Sequence, residues 1–237
     1  RGEFVRLAFE EAGAAYTDVA RLPAEKGGGA QAIQRFLRGD AGGVRPFAPP
    51  FLKEGDLVIA QVANILLYLG PRLGLVPEDE AGRIEVNQIQ LTIADLVAEV
   101  HDTHHPISAT LFYEDQQPEA KKRSAAFVEQ RMPKLLGYFE DILRRRASGG
   151  GRYLVGDALT YADLSTFQVM TGLEYGFPNG LSPLIPSIPL LLPHRDRIAA
   201  RPRIAAYLAS ERRLPFNKNG IFRRYPELDV QPGEAAT

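Results

Sequence analysis

The sequence contains neither cysteine nor tryptophan among its 237 residues. Without cysteine there can be no disulfide, thiolate-bound metal or cysteine nucleophile, so any thiol chemistry must use a thiol that a ligand supplies. No apolar run approaches the roughly 18 residues of a membrane-spanning helix. Lysine and arginine total 28 against 29 aspartate and glutamate. This balance lacks the basic excess of nucleic-acid-binding proteins, so we expect neither a membrane nor a nucleic acid as a partner.

The composition is that of an ordinary globular protein, and the length suits one large domain or two small ones. The first 70 residues mix element types. The pattern predicts a helix ending at Gly13, a strand at 14–19, a helix at 30–38, a hairpin around Gly55, and a helix ended by Gly70 and Pro71.

Helical periodicity dominates after Asp79. One long helix is predicted from Glu80 to about Tyr113, and a second from Pro118 to about Arg146, with a kink or break at Pro133. Further helices are predicted after Thr160, at 194–200 and at 203–210. The two patterns predict a mixed α/β unit over 1–72 and an all-helical unit over 79–222, followed by a C-terminal tail at 223–237.

The stretch LTYADLSTF contains the sharpest local signal. Thr160 suits an N-cap, and the carboxylate of Asp163, three positions later, can accept a hydrogen bond from the Thr160 backbone N–H. The helix dipole also favours a negative charge there. We interpret this pair as a folding device and not as a catalytic acid.

A second signal lies in APPFLKEGDLVIAQVANILLYLG, where prolines precede a β-hairpin and a helix then begins with a polar residue. A proline before a short strand can be cis and fix a turn whose backbone faces a ligand. The N–H groups of Gln61 and Val62 at the helix start can bind a carboxylate. The order of these elements indicates a ligand-binding edge.

Three stretches, in the correct order, resemble the soluble glutathione S-transferase family over nearly the whole chain, and the likeness is to a bacterial- or fungal-like member. RGEFVRLAFEEAG resembles the family's first helix, PPFLKEGDLVIAQVANILLYLG its glutathione-site strands and third helix, and YLVGDALTYADLSTFQ its capping-box helix. The resemblance implies an α/β thioredoxin-like N-terminal domain packed on an all-α C-terminal helical bundle. It also implies a cytoplasmic homodimer that acts in detoxification. Such an enzyme has no prosthetic group and conjugates its co-substrate glutathione to a hydrophobic electrophile.

The resemblance also implies a set of glutathione-binding residues: Arg1, Arg45, Pro49, Pro50, Gln61 and Val62. Pro50 matches the cis proline, and Gln61 matches the glutamine that holds the γ-glutamyl end. Arg1 matches an arginine near the glutathione carboxylate or thiol, the alternative being a frayed terminal charge. Arg45, preferred over Arg38, is expected to meet the glycyl carboxylate. The thiol-activating tyrosine or serine of the family would lie upstream of Arg1, on a first strand that we expect the native protein to have.

Two positions depart from the family pattern. Val62 stands where a serine or threonine hydroxyl usually binds the γ-glutamyl carboxylate, which leaves only the Val62 backbone N–H. Pro49 has no N–H, so only its carbonyl can pair with the cysteine backbone of glutathione. These departures support an alternative function, a catalytically weak ligand-binding or structural protein with the same fold.

The stretch EVHDTHHPI has no explanation in the family. His101, His104 and His105 share a predicted helix, and histidines four apart can bind a metal. Because no third ligand is evident, we predict no metal site. The three histidines either line the pocket for the electrophile or form a structural cluster. Phe216 is a further pocket candidate, because C-terminal residues fold back over the cleft in some family members; packing on the domain surface is the alternative.

Overall fold

The structure is a computed structural model, and it describes residues 1–39 and 44–229. The N-terminal part contains α1 (Gly2–Ala12), α2 (Gly29–Arg38), the hairpin strands β1 (Phe51–Glu54) and β2 (Leu57–Ala60), and α3 (Val62–Leu73). The helical part contains α4 (Glu80–Asp102), α5 (Gln117–Ala126), α6 (Met132–Ser148), α7 (Tyr161–Gly176), α8 (Pro178–Leu181), α9 (Leu191–Ala199) and α10 (Pro202–Leu208). No helix within the described ranges combines the length and apolarity needed to cross a membrane.

The predicted hairpin is confirmed. β1 and β2 pair antiparallel, with Phe51 opposite Ala60 and Glu54 opposite Leu57. The turn between them uses Gly55 at φ 56°, where a glycine avoids the strain that a side chain would meet. The predicted strand at 14–19 is wrong: a strand needs a hydrogen-bonded neighbour, and no described segment pairs with these residues.

Two predicted helix ends are corrected. Pro71 lies inside α3, which continues to Leu73 and ends at Gly74 in the left-handed conformation. The apolar face of α3 keeps packing beyond the proline, so the one lost hydrogen bond does not end the helix. α4 ends at Asp102 and not near Tyr113. Pro106 lies four residues further on, and it disfavours helical geometry at the residue before it.

The break expected at Pro133 is confirmed. A π-helical turn, Phe127–Arg131, separates α5 from α6, and the proline then occupies the first turn of α6. In that position its missing N–H leaves no hydrogen bond unmade. Glu99 of α4 accepts three hydrogen bonds from Arg131, which tie the irregular turn to α4.

The main hydrophobic core lies between α4, α6, α7 and α9, and the N-terminal part contributes to it directly. Phe4, Leu7 and Ala8 of α1 belong to this core, whereas the hairpin packs on a smaller cluster around Ile65 and Leu69. The two halves of the chain therefore share one interior through α1, to which α3 adds Leu66.

Ion pairs reinforce this packing. Three glutamates of α1 meet three arginines from the C-terminal part, an arrangement we call the α1 clamp: Glu3 with Arg213, Glu10 with Arg212, and Glu11 with Arg201. Glu3 also accepts a hydrogen bond of 2.7 Å from the buried hydroxyl of Tyr207. Hydrogen bonding from Arg212 lowers the pKa of Glu10 below its usual value. The clamp therefore holds α1 in place against the C-terminal helices.

The predicted capping box is confirmed at the start of α7. Asp163 is fully buried and accepts hydrogen bonds from the backbone N–H of Thr160 at 2.8 Å and from its hydroxyl at 2.7 Å. Its second oxygen accepts from the Leu154 N–H at 2.9 Å and lies 3.3 Å from Nε2 of buried His194. The pair thus joins the helix cap to a loop and to α9.

Asp163→Ala should therefore destabilise the protein by about 3 kcal/mol or more, because it leaves several buried donors unpaired. Asp157→Ala is the matched control: this carboxylate is 98% exposed, and its loss should change the free energy of unfolding by less than about 0.5 kcal/mol. Urea denaturation of both variants checks this. Equal effects would contradict the role assigned to Asp163.

Candidate functional site

A cleft of about 680 Å³ lies between the two halves of the chain. One wall consists of Arg1 and Phe4, the loop at 47–50, and the start of α3 with Leu67. The facing wall is the part of α4 from Asn87 to Ala98. One wall therefore comes from the N-terminal part and the other from the helical part. The shape of the cleft depends on how α1 and α3 pack against α4.

The loop and the start of α3 have unusual backbone geometry. The Pro49–Pro50 peptide bond is cis, as predicted for Pro50. Gln61, the N-cap of α3, has φ 69° and is the one non-glycine residue with positive φ in the described part of the chain. Such a conformation costs on the order of 1–3 kcal/mol and is typical of functional sites. It presents the first N–H groups of α3, which have no partner within the helix, at the cleft.

The polar side chains of the cleft have a distinct chemistry. One is a cation and four are carboxamides: Arg1, Gln61, Asn64, Asn87 and Gln90. No carboxylate is among the described lining residues. The rest of the lining is apolar. The cleft is therefore suited to a ligand that has an anionic end, amide groups and an apolar portion.

Five of the predicted glutathione-site residues come together here: Arg1, Pro49, Pro50, Gln61 and Val62 all line this cleft. Arg45 does not. Its side chain is exposed and lies near Gly39 at the end of α2. The structure therefore gives no described basic side chain other than Arg1 to the cleft.

The three histidines lie beyond the cleft, past the last lining residue of α4. Their rings pack against one another with centroids 4.7–5.3 Å apart. His104 is buried, its Nε2 lies 2.9 Å from the Ile221 carbonyl, and its Nδ1 faces Nδ1 of His105. These contacts match the structural cluster and do not place His101, His104 or His105 in a ligand pocket. Among the described side chains no group of three or more His, Asp or Glu is arranged to hold a metal.

The residues after α10 pack on the helical part. Phe216 stacks on Tyr175 at 4.9 Å, and Phe222 fills the space above Gly172, where a Cβ atom would approach the ring too closely. The buried carboxylate of Asp229 accepts hydrogen bonds from the N–H groups of Asn179 and Gly180. We call residues 220–229 the C-terminal strap. Phe216 thus follows the second alternative, packing on the domain surface.

Asn64, Asn87 and Gln90 also line the cleft, although they were not predicted from the sequence. Of the three, Gln90 is the one that the sequence pattern could have indicated, because it falls in the buried apolar row of α4 between Val86 and Ile93. A glutamine in a buried row is unusual and marks a polar requirement.

Known proteins resemble this chain both in its helical part and over most of its length. The family model described as glutathione S-transferase, C-terminal domain, matches residues 101–211. Glutathione S-transferase P of Homo sapiens is 30% identical over 173 residues, 72% of this chain and 74% of its own. Glutathione S-transferase of Plasmodium yoelii yoelii is 29% identical over 214 residues, 90% of each chain. The solved structure of NaGST-2 matches with a TM-score of 0.62 at 20% identity, over 92% of this chain and 93% of its own.

These likenesses define the fold first: a small antiparallel sheet with its helices, consistent with a thioredoxin-like N-terminal domain, on an all-helical C-terminal domain. The chain belongs to the glutathione S-transferase family. The expected bacterial- or fungal-like subtype stays a prediction, because the relatives named here come from Plasmodium and from an animal.

The histidine cluster predicts an acid-dependent stability. Burial, with the nearby charge of Arg223, lowers the pKa of His104 to about 3, although its hydrogen bond to Ile221 opposes the shift. Below about pH 6.5 the unfolded chain takes up a proton at this imidazole that the folded protein does not. The contribution of His104 to the free energy of unfolding is therefore fully present at neutral pH and is lost on acidification. Between pH 7 and pH 5 this group should cost about 2 kcal/mol.

Urea denaturation across this pH range checks the effect. The free energy of unfolding of His104→Gln should fall less steeply between pH 7 and pH 5 than that of the wild type. His101→Gln keeps His104 and should show the wild-type slope. Identical pH slopes for the wild type and His104→Gln would contradict the assignment.

Proposed function

We propose that the protein is a glutathione transferase that joins the glutathione thiolate to an electrophilic, largely apolar small molecule. The observation that carries the proposal is the convergence of Arg1, the Pro49–Pro50 loop and the strained N-cap Gln61 on one cleft with an apolar lining. A cytoplasmic location, a role in detoxification and a bacterial- or fungal-like subtype are proposed with it, from the resemblance alone.

Glutathione fits the polar side of the cleft. Its γ-glutamyl carboxylate would accept hydrogen bonds from the first N–H groups of α3, where the helix dipole also favours an anion. The Gln61 carboxamide would bind the same end of the tripeptide. The carbonyl of Pro49 would accept the N–H of the glutathione cysteine. These contacts position the thiol at the boundary between the polar and apolar parts of the cleft.

The chemistry needs the thiol as a thiolate, because the thiolate is the nucleophile. A cation within reach lowers a thiol pKa, and Arg1 is the cation of the cleft. The family's thiol-activating hydroxyl is proposed to lie upstream of Arg1. The thiolate sulfur then attacks the electrophilic carbon and forms a C–S bond, while a leaving group departs with its electron pair. Binding both reactants in one cleft supplies much of the rate through proximity.

A second function has specific support. Val62 offers no hydroxyl and Pro49 no N–H, so two of the expected contacts to glutathione are lost. A catalytically weak ligand-binding or structural protein is the function that these two residues favour. Glutathione affinity, measured by calorimetry on the full-length protein, separates the two: a dissociation constant from micromolar to low millimolar supports the transferase, and undetectable binding supports the alternative.

Two variants at the start of α3 test the binding mode in opposite directions. Gln61→Ala should weaken glutathione binding by about tenfold or more, because it removes a hydrogen bond to a charged group. Val62→Thr should tighten binding by roughly tenfold, because threonine restores a hydroxyl at almost unchanged volume. Calorimetry measures both. Gln88→Ala, on the exposed face of α4, is the control, and unchanged affinity in both test variants would overturn the site.

We also propose a twofold-symmetric homodimer. Large apolar side chains are exposed around the rim of the cleft: Phe47, which is 92% exposed, with Leu67 and Leu91. Exposed apolar patches of this kind mark protein interfaces. A second copy would cover this rim through a self-complementary contact.

Phe47→Asp should convert the dimer to a monomer, because a buried charge at the interface is unpaired. Sedimentation velocity over a range of concentrations measures the change. Phe112→Asp alters another phenylalanine that is 76% exposed but lies away from the cleft, and it should leave the dimer intact. A wild-type monomer, or an unaffected Phe47→Asp dimer, would contradict the proposal.

A further inference from the structure

The C-terminal strap begins on the histidine cluster. The carbonyl of Ile221 lies 2.9 Å from Nε2 of His104, which is buried, so this nitrogen carries a proton and donates it to the carbonyl. Nδ1 of His104 is then an unprotonated acceptor, and the donor that faces it is Nδ1 of His105. The docked strap therefore holds His104 in its neutral form.

An added proton has no favourable place on these two rings. At Nδ1 of His104 it would be buried and would point at the N–H of His105. At Nε2 of His105 it would be repelled by the cation of Arg223, which the strap itself supplies. Burial, with the charges of Arg223 and His101, lowers the pKa of His105, although Glu114 opposes the shift.

The opposite charges near the cluster are weakly placed to offset such protons. Asp102 and Glu114 are carboxylates beside it, and water screens both because their side chains reach the solvent. The charged and titratable side chains that surround His104 and His105 in the described part of the chain come from three segments: His101 and Asp102 of α4, Glu114 of the turn at 113–115, and Lys218, Arg223 and Tyr225 of the C-terminal part.

The rest of the strap packs on helices that form without it. Phe222 lies above Gly172 of α7. The Leu228 carbonyl accepts a hydrogen bond from Ser124 of α5, and Asp229 binds the first N–H groups of α8. Each of these helices keeps its own backbone hydrogen bonds when the strap leaves. A segment outside the core helices opens locally, at a lower free energy than global unfolding.

We propose that His104 and His105 form an acid-sensitive latch for the C-terminal strap. With the strap docked, burial and Arg223 keep both imidazoles neutral. With the strap detached, the imidazoles are hydrated and Arg223 has moved away, so both take up protons and oppose redocking. The inference goes beyond the proposed function and does not depend on it.

The latch also reaches the start of α1. Asn219, Gly220 and Ile221 line a groove together with Arg1 and Gly2. Detachment of the strap therefore opens this groove next to Arg1, which also lines the candidate cleft. Acid thus changes the surroundings of the cleft through the strap.

The direction of the pH dependence follows from proton binding. Below about pH 6.5 the detached state binds protons that the docked state does not, so the ratio of detached to docked strap rises as the pH falls. Burial lowers the pKa of His104 to about 3 in the docked state. This group alone should raise the ratio about 20-fold between pH 7 and pH 5.

Hydrogen–deuterium exchange, measured by mass spectrometry on the full-length protein, tests the latch between pH 5 and pH 7. The reporting N–H groups are those of Leu228 and Asp229 in the strap and those of Asn179 and Gly180, which Asp229 binds. A peptide from the buried helix α7 reports global unfolding. After correction for the intrinsic rate, the strap should exchange about tenfold or more faster than α7. Its rate should rise about 20-fold from pH 7 to pH 5.

Three variants assign the effect. His104→Gln keeps a donor for the Ile221 carbonyl but cannot take up a proton, so the rise should drop to about fivefold or less. His101→Gln is the matched control: it changes a neighbouring imidazole and keeps the contact with Ile221, so the rise should stay at about tenfold or more. Arg223→Gln, at a partly exposed position, removes the repelling cation and should reduce the rise by about twofold or more.

Equal exchange rates in the strap and in α7 would show that the strap leaves only on global unfolding, and they would overturn the latch. A strap rate that does not depend on pH would do the same. A full rise in His104→Gln, or in Arg223→Gln if the first variant misfolds, would assign the acid effect to another group and also overturn it. Glutathione binding enters none of these outcomes, so the proposed function is tested separately.

Discussion

The contact between α1 and the C-terminal helices is the constraint on which the rest of the structure depends. The first turn of α1 supplies Arg1 and Phe4 to the cleft, while Leu7 and Ala8 enter the core of the helical domain. The glutamates of the α1 clamp are largely buried, so each needs its arginine to offset the loss of hydration. A rotation of α1 would break these pairs and move one wall of the cleft. Core packing and site geometry therefore share one cause.

The fold could be predicted from the sequence where local chemistry decides the structure. The hairpin at Gly55, the cap formed by Thr160 and Asp163, and the break at Pro133 depend on residues within one or two turns of each other. The continuation of α3 past Pro71 and the end of α4 at Asp102 could not be predicted in this way. Both depend on tertiary packing, which overrides the local preference of a proline or of a periodic row.

The residues of the candidate site show the same difference between local and tertiary determinants. Pro50, Gln61 and Val62 lie within one short stretch of the chain, so their assignment to a common site could be made from the sequence. Gln90 and Phe47 could not be assigned to the cleft, because their place in its lining depends on how α4 and the loop before β1 face each other. The histidines show the converse: the sequence left a pocket and a structural cluster as alternatives, and the contact of His104 with Ile221, 117 residues away in the chain, favours the cluster.

The C-terminal strap has a consequence for the order in which the protein assembles. Asp229 binds N–H groups at the start of α8 about 50 residues earlier, and Ile221 pairs with His104 across half of the chain. During synthesis these partners emerge long before the strap does, and non-local contacts of this kind form late. The amides of α8 and the imidazole of His104 thus stay hydrated during synthesis until the strap has emerged and docked on them. The interior of the helical domain is complete only after these late contacts form.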